Sequence, residues 1–226
     1  MKDLKRVFCF FEQSGTFKNE FKKLGFEAWD FDIANDYGET DRVIDLFAEI
    51  EKAFDGLPSV FDEIKEGGDL IMSFFPCIRF NKLFLMHMNQ TAKQYKKYTE
   101  AEKARNAIRF QEEVSRFYCL ISKFVAVCLD RNIPLIIENP YSADHYLVRY
   151  WPFLPKIIDL NRREMGDYFE KPTQYYFFNL EPCENLLFDE PIAYHPKRRV
   201  LNLPQREKSE ISPDYARRFI RRYING

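Results

Sequence analysis

Near the N-terminus the chain reads Val7-Phe-Cys-Phe-Phe-Glu-Gln-Ser-Gly-Thr-Phe17, an apolar run followed by a short polar turn. A continuous apolar run is typical of a strand that is covered on both faces, as in a parallel sheet. Phe17, Phe21 and Leu24 then recur at helical spacing, and Gly25 follows where a helix would end. This pattern predicts a strand, a tight turn and a helix, which together begin a βαβ unit.

The same alternation of apolar runs and helix-period segments continues along the chain. The runs that predict further strands are Ala28–Ile33, Asp69–Phe75 and Leu135–Ile137. The segments that predict helices are Asp41–Phe54, Ala101–Asp130 and Ile211–Ile224. Within the first of these, Val43–Leu46 could instead be a short strand. The alternation predicts an α/β fold with a mostly parallel sheet and helices on both faces.

Length and composition limit the class of protein. A chain of 226 residues and 27.2 kDa predicts one domain, and 46% hydrophobic with 31% charged residues excludes a disordered chain or a fibre. The apolar runs fall far short of the roughly 18 residues that cross a bilayer, so we expect neither a membrane span nor a secretory signal. Five cysteines without a CxxC pair indicate reduced thiols, and three scattered histidines leave little material for a zinc site. We therefore expect a cytoplasmic, intracellular protein with no membrane partner and no metal.

The charge is unevenly distributed although the net charge is only −1. Residues 196–226 hold nine Lys or Arg against three acidic residues. A local positive excess suits a polyanion such as nucleic acid. The alternative is a terminal helix with a solvated charged face.

In an open parallel sheet, ligands bind beyond the carboxyl ends of the strands, near the point where strand order reverses. The turn Glu12–Thr16 would direct backbone N–H groups at such a ligand. Asp32 follows Gly15 by 17 residues, close to the roughly 20 at which an acid meets a ribose hydroxyl. Because a phosphate cradle normally needs two or three glycines, one glycine favours a nucleoside ligand without pyrophosphate. The alternative is an ordinary strand-to-helix turn.

Two reactive side chains also follow apolar runs. Cys77 comes directly after Pro76, and a nearby helix N-terminus or Arg79 would lower the pKa of its thiol. Glu138 follows Leu135–Ile137, and burial of its charge would cost several kcal/mol unless it is paired or protonated. Its pKa could therefore be raised, so that it works as a general acid or hydrogen-bond donor to a heterocycle. The alternatives are a small apolar filler for Cys77 and a turn-capping acid for Glu138.

In this order the segments resemble the DNA cytosine-5 methyltransferase family. The opening strand and turn resemble the family's FxGxG motif, with Gln13 where the first glycine is expected. Phe26–Ile33 resembles the second strand with its ribose-binding acid, and Asp45 is a fainter match to the acid that meets adenine. Asp69–Phe80 resembles the Pro-Cys nucleophile motif, and Ile136–Pro140 resembles the Glu-Asn motif. The segments 170–179 and 206–216 are similar to short phage-type members.

The resemblance implies a Rossmann-like fold that uses S-adenosylmethionine, with DNA as the partner, either as a duplex with a flipped cytosine or as a single strand. It implies Cys77 as the nucleophile that adds to C6 of cytosine and Glu138 as the group that assists at N3. The implied cofactor-binding residues are Phe11, Gly15, Thr16, Phe17, Asp32, Ile33, Asp45 and Pro76. The implied substrate-binding residues are Arg79, Asn139, Arg162 and Arg163, the last two being nearest to the family's missing Gln-x-Arg-x-Arg motif.

The predicted organisation is one methyltransferase-like domain over residues 1–226, with a small irregular recognition insertion at residues 165–205. The lysine-rich segment Asn81–Lys97 is expected to be a mobile loop that closes over an extruded strand. Two alternatives stay open. One is a catalytically inactive or repurposed protein that binds nucleic acid or cofactor. The other is a methyltransferase that acts on RNA or on a free pyrimidine nucleotide.

Overall fold

The computed structural model describes residues 4–80, 95–142, 146–187, 191–192, 194–195, 207 and 210–225. Within them, one seven-stranded sheet runs through the protein in the order β3-β2-β1-β4-β5-β7-β6. Its strands are β1 Arg6–Phe10, β2 Glu27–Asp32, β3 Arg42–Val43, β4 Asp69–Ser73, β5 Leu135–Pro140, β6 Ile157–Asp159 and β7 Thr173–Phe178. The first five strands in chain order pair in parallel, whereas β7 pairs antiparallel with both β5 and β6. The predicted α/β class with a mostly parallel sheet is confirmed, and the order is compatible with a Rossmann-like fold.

Three of the described helices begin at residues whose side chains cap them. The helices are α1 Thr16–Lys23, α2 Leu46–Phe54, α3 Glu100–Asp130, α4 Tyr146–Tyr150 and α5 Pro213–Tyr223, with single 3-10 turns at Val60–Glu63, Tyr95–Lys97 and Arg162–Met165. Asp45 caps α2, Thr99 forms a capping box with Glu102 at the start of α3, and Ser212 caps α5. None of the described helices combines the length and the apolarity needed to cross a bilayer.

Alternate residues of each central strand enter two separate cores. Along β1, Phe8 and Phe10 pack with α2 and α3 on one face of the sheet. Val7 and Cys9 pack with α1 and α5 on the other face. This alternation is what a pleated strand imposes, since successive side chains point to opposite faces. The prediction that helices cover both faces is therefore confirmed.

Residues 165–205 differ from the prediction. The sequence was expected to be irregular there, but Thr173–Phe178 is a buried strand in the interior of the sheet, between β5 and β6. Its run of aromatic residues has a high strand propensity, and the flanking prolines made the segment look like loop. The predicted irregular character does not extend to β7, which is one of the short strands that this proline-rich part of the sequence allows among its loops. The recognition role of the remaining residues stays a prediction, as does the closing role of Asn81–Lys97, most of which lies outside the described residues.

The basic C-terminal segment is partly built into the core. Helix α5 packs against α1, and Arg218 on it is buried. Arg217 pairs with Asp214 at 2.5 Å, whereas Arg221 and Arg222 are exposed. The other five basic residues of the segment lie outside the described residues. Two of the four described arginines of this segment are therefore exposed.

Candidate active site

A cavity of about 480 Å³ opens at the carboxyl ends of β1, β2, β4 and β5. It lies where strand order reverses between β1 and β4, which is the expected place for a ligand in such a sheet. Its walls come from the ends of these strands and from three later parts of the chain, which contribute Arg162, Lys171 and the pair Glu210–Ile211. The lining residues are Phe11, Glu12, Gln13, Ser14, Asp32, Asp36, Tyr37, Phe74, Phe75, Pro76, Cys77, Glu138, Pro140, Arg162, Lys171, Glu210 and Ile211.

The structure brings together six of the fourteen predicted site residues. Those that line the cavity are Phe11, Asp32, Pro76, Cys77, Glu138 and Arg162. Those that do not line it are Gly15, Thr16, Phe17, Ile33, Asp45, Arg79, Asn139 and Arg163. The nucleophile and the acid suggested by the sequence therefore share one cavity, whereas several neighbours have other roles.

Cys77 is partly buried beyond the end of β4. The next residues form a turn in which the Phe80 N–H donates to the Cys77 carbonyl at 2.9 Å. Burial raises the pKa of the Cys77 thiol, the positive charge of Lys171 opposes this shift, and Glu138 adds to it. The expectation of a lowered thiol pKa is therefore wrong. Arg79 is not a source of positive field here, because it forms an ion pair with Glu113 at 2.7 Å.

Glu138 lies inside β5 and is 8% exposed. Burial raises the pKa of its carboxyl, while Lys171 and Arg162 act in the opposite direction. The raised pKa was predicted from the position of this acid after an apolar run, and its direction is confirmed. A buried carboxyl of this kind can hold a proton at higher pH than an exposed one and donate it within the cavity.

Arg162 reaches the cavity from the 3-10 turn after β6. Its Nη1 lies 3.8 Å from Glu138 Oε1 and its Nη2 lies 2.6 Å from Asp167 Oδ2. The guanidinium also stacks over the Tyr215 ring, 5.4 Å from the ring centre. Arg162 is 1% exposed, so these contacts fix it in place beside Glu138.

Arg163 points away from the cavity. Its Nη2 donates to the carbonyl of His195 at 2.6 Å, and its Nη1 lies 3.7 Å from Glu170 Oε1. Because neighbouring residues of a tight turn project in different directions, only one of two adjacent arginines can enter the site. The predicted substrate contact is retained for Arg162 and is not supported for Arg163.

Asn139 has a structural task instead of a place in the cavity wall. Its buried side-chain amide donates to the carbonyls of Phe75 at 2.9 Å and of Glu138 at 2.8 Å. These bonds tie the end of β4 to β5. Asn139 therefore holds the segment with Cys77 next to the strand with Glu138, and its predicted contact with substrate stays a prediction.

The turn after β1 differs most from the prediction. The carboxylate of Glu12, 5% exposed, accepts hydrogen bonds from the N–H groups of Phe17 at 2.7 Å and Lys18 at 3.2 Å. Burial raises the pKa of Glu12 to about 7, although these two bonds oppose the shift. The expectation that the turn presents its N–H groups to a ligand is wrong for these two, because Glu12 already occupies them.

Three residues that were predicted to bind the cofactor shape the turn after β1. The Phe17 side chain is fully buried, with its ring 4.9 Å from that of Phe74. Gly15 has a φ of +65°, and a Cβ there would lie 3.1 Å from Glu39 Oε2. Thr16 pairs its hydroxyl with that of Ser14 at 3.0 Å. These residues shape the turn, and their side chains do not line the cavity.

Asp32 lines the cavity at the end of β2 and is engaged by Gln13. Its Oδ1 accepts from Gln13 Nε2 at 3.1 Å and from the Ala34 N–H at 2.9 Å. Burial raises the pKa of Asp32, and both bonds oppose the shift. A ligand hydroxyl at Asp32 would therefore share the carboxylate with Gln13, which stands where the family motif has its first glycine.

The two remaining predicted cofactor residues lie outside the cavity wall. Ile33 is 67% exposed. Asp45 is exposed, and its carboxylate accepts hydrogen bonds from the N–H groups of Phe47 at 3.0 Å and Ala48 at 3.3 Å. Asp45 is thus the N-cap of α2, and the predicted contact with an adenine amino group is not supported.

Sequence reasoning missed several lining residues. Glu12 was visible as the first polar residue after β1, and Lys171 lies in a segment already singled out by the resemblance. Asp36 and Tyr37 follow Asp32 in the next loop. By contrast, Glu210 and Ile211 reach the cavity only through the docking of α5, for which the sequence carries no local signal.

No family model matches this sequence, and no curated protein is significantly similar to it. The resemblance to cytosine-5 methyltransferases therefore depends on the motifs quoted above. Within the described residues, no group of three or more His, Cys, Asp or Glu side chains is arranged to hold a metal ion. The chemistry must be argued from the cavity itself.

Proposed function

We propose that this protein transfers a methyl group from S-adenosylmethionine to C5 of cytosine in DNA, through a covalent adduct of Cys77 assisted by Glu138. One observation carries the proposal. The Cys77 thiol and the Glu138 carboxyl line a single cavity together with Phe11 and Asp32, at the switch point of the parallel sheet. A nucleophile, an acid and candidate nucleoside contacts thus meet in one place.

The part of the cavity next to β1 and β2 suits such a donor. Its lining includes the carboxyl groups of Glu12, Asp32 and Asp36, which belong to the loops that follow β1 and β2. A ligand with hydroxyls and positive charge is favoured there, whereas phosphates would meet carboxylates and find two α1 N–H groups occupied by Glu12. S-adenosylmethionine is a sulfonium nucleoside without phosphate, so the lining residues fit it. Phe11 and Asp32 would hold it, and when bound it supplies an electrophilic methyl group.

The part next to β4 and β5 suits the acceptor base. Cys77 as thiolate would add to C6 of cytosine, which makes C5 electron-rich. Glu138 in its protonated form would donate to N3 and so stabilise the charge that develops on the ring. After C5 has been methylated, the C5 proton passes to solvent, the electrons of the C5–H bond restore the C5–C6 double bond, and the C6–S bond breaks to free Cys77 as a thiolate. In a duplex the base must first be flipped out, at a cost of a few kcal/mol.

A second candidate is methyl transfer to RNA or to a free pyrimidine nucleotide. It is favoured by the position of β7, because a strand of the main sheet leaves fewer of residues 165–205 for reading a DNA sequence. A catalytically inactive binding protein is favoured by Gln13, which engages the carboxylate of Asp32. The choice of acceptor separates the second candidate from the first proposal, and the absence of transfer to every acceptor identifies the inactive protein.

The test is transfer of a tritiated methyl group from S-adenosylmethionine to duplex DNA, single-stranded DNA, RNA and cytidine triphosphate. We expect label in DNA, and we expect Cys77→Ala to abolish it because the covalent step is lost. Cys119→Ala is the matched control, since Cys119 is an exposed thiol on α3 outside the cavity. A 5-fluorocytosine oligonucleotide should form a covalent adduct at Cys77.

Three results would contradict the proposal in different ways. Label in RNA or nucleotide alone would favour the second candidate. Activity that persists in Cys77→Ala would exclude the covalent mechanism. Absence of both label and adduct with every acceptor, while S-adenosylmethionine or nucleic acid still binds, would favour the inactive binding protein.

A further inference from the structure

Two cationic side chains, Arg162 and Lys171, line the cavity, and they differ in whether a carboxylate is paired with them. Arg162 is held by Asp167 at 2.6 Å and by the Tyr215 ring. Lys171 lies on the segment before β7 and forms no ion pair with a carboxylate in the part of the chain that the structure describes. Lys171 is therefore the cation of this cavity whose charge is not already neutralised by a close partner.

The backbone ties the segment that carries Lys171 to the end of β5, and Lys171 lines the same cavity as Cys77 and Glu138. The Tyr141 N–H donates to the carbonyl of Pro172 at 2.9 Å, and Thr173 pairs with Pro140 at the end of β5. Lys171, which directly precedes Pro172, is thus held close to the end of the strand that carries Glu138. The Lys171 charge acts on Cys77 and on Glu138 in the same direction, because a nearby cation favours the ionised form of each.

Burial and the charge of Glu138 disfavour a thiolate at Cys77, and a cation in the cavity opposes both effects. Five carboxyl side chains line the same cavity as Cys77, namely Glu12, Asp32, Asp36, Glu138 and Glu210. Ionisation of the thiol releases its proton to solvent and places one more negative charge among them. Without Lys171, only Arg162 would remain to offset this charge, and Arg162 is already paired with Asp167.

We propose that Lys171 is the positioning residue that stabilises the thiolate form of Cys77, a task that the sequence had suggested for Arg79. The role of that thiolate as a nucleophile rests on the proposed function. The electrostatic part concerns the free protein and can be tested without donor or nucleic acid.

The experiment measures the rate at which iodoacetamide alkylates Cys77, followed by mass spectrometry of the peptide that contains it, at several pH values around the ordinary thiol pKa of about 8.5. In Lys171→Met we expect alkylation below the thiol pKa to slow roughly three- to tenfold, because the thiolate fraction falls. Lys171→Arg should keep most of the rate. Lys156→Met is the matched control, since it removes the same charge at an exposed site where Lys156 pairs with Glu181 at 3.0 Å.

An unchanged rate in Lys171→Met would overturn the proposal, as would an equal loss in Lys156→Met. A loss in Arg79→Met without one in Lys171→Met would also overturn it. Circular dichroism checks that each variant is folded, and Lys171→Gln replaces the Met variant if that one is not. A protein that shows the charge effect but transfers no methyl group would contradict the proposed function and leave the assignment of Lys171 intact.

Discussion

At the scale of single residues, Glu12 couples the architecture of the turn to pH. Its carboxyl satisfies two N–H groups of α1 that the helix leaves without internal partners. Its burial beneath the cavity raises its pKa from 4.5 to about 7. The same side chain therefore stabilises the start of α1 through its hydrogen bonds. When it loses its proton, the buried negative charge lowers the stability of the folded state.

Because of Glu12, the free energy of unfolding should decrease as pH rises towards neutrality. Between about pH 4.5 and 7 the folded state retains the Glu12 proton while the unfolded state has released it, so stability falls as pH rises through this window. We expect wild type to lose on the order of 3 kcal/mol relative to Glu12→Gln across it. Urea unfolding of both proteins at a series of pH values measures this difference. Parallel curves for the two proteins would show that Glu12 does not titrate there.

The residue scale also shows which parts of the site the sequence could predict. Asp32, Cys77 and Glu138 were predictable because each stands at or near the end of an apolar run, and parallel strands end at one edge of the sheet. The structural roles of Asn139 and Asp45 were not predictable because their partners are backbone groups, and no residue type in the sequence marks a carbonyl or an N–H as a partner.

At the scale of elements, local signals were sufficient for α3 and insufficient for β7. The predicted helix Asp41–Phe54 begins only at Leu46, because Arg42–Val43 forms the short strand β3. Helix α3 was predicted to within one residue because its apolar period is long and Thr99 begins it with a capping box. Strand β7 pairs with β5, so its place depends on residues about 40 positions earlier in the chain. Contacts over that distance leave no periodic pattern, and the flanking prolines favoured a loop.

Helix α5 is tied to the cavity through its cap. The Ser212 hydroxyl accepts from the Tyr215 N–H at 3.0 Å and donates to the Gly166 carbonyl at 2.6 Å. The Ser212 N–H donates to Asp167, the partner of Arg162. The residues that precede the helix thus hold the turn that carries Arg162 in position beside Glu138.

We expect Ser212→Ala to lower the free energy of unfolding by about 2 kcal/mol, because one N-cap bond is lost and a buried carbonyl is left without its donor. Asp45→Ala is the matched control, since it removes an exposed N-cap on α2 and should cost about 1 kcal/mol. Urea unfolding measures both values. A loss in Ser212→Ala no larger than that in Asp45→Ala would mean that the bond to Gly166 contributes nothing.

At the scale of the whole molecule, the path of the chain creates the cavity. From β1 the chain crosses by α1 on one face of the sheet to β2, and it returns to β4 by α2 on the opposite face. The two connections diverge between β1 and β4, so the carboxyl ends of these strands are left uncovered. The topology explains why residues from distant parts of the sequence line one cavity.

A ligand that binds this cavity must stabilise the entire fold, because it binds the folded state and not the unfolded chain. We expect S-adenosylmethionine at a hundredfold excess over its Kd to raise the free energy of unfolding by about 2.7 kcal/mol. ATP at the same concentration should give little stabilisation, since its phosphates would meet Glu12, Asp32 and Asp36. Thermal unfolding with each ligand measures the difference.

Asp32→Asn separates a specific contact from a general effect of charge. If Asp32 binds hydroxyls of the ligand, the variant should lose most of the stabilisation by S-adenosylmethionine, because an amide accepts fewer hydrogen bonds than a carboxylate. Asp55→Asn removes an equal charge at the exposed end of α2 and should retain the stabilisation. Equal stabilisation of wild type by ATP and by S-adenosylmethionine would mean that the carboxylates of the cavity do not select against phosphate. The assignment of this region to a sulfonium nucleoside would then lose its electrostatic basis.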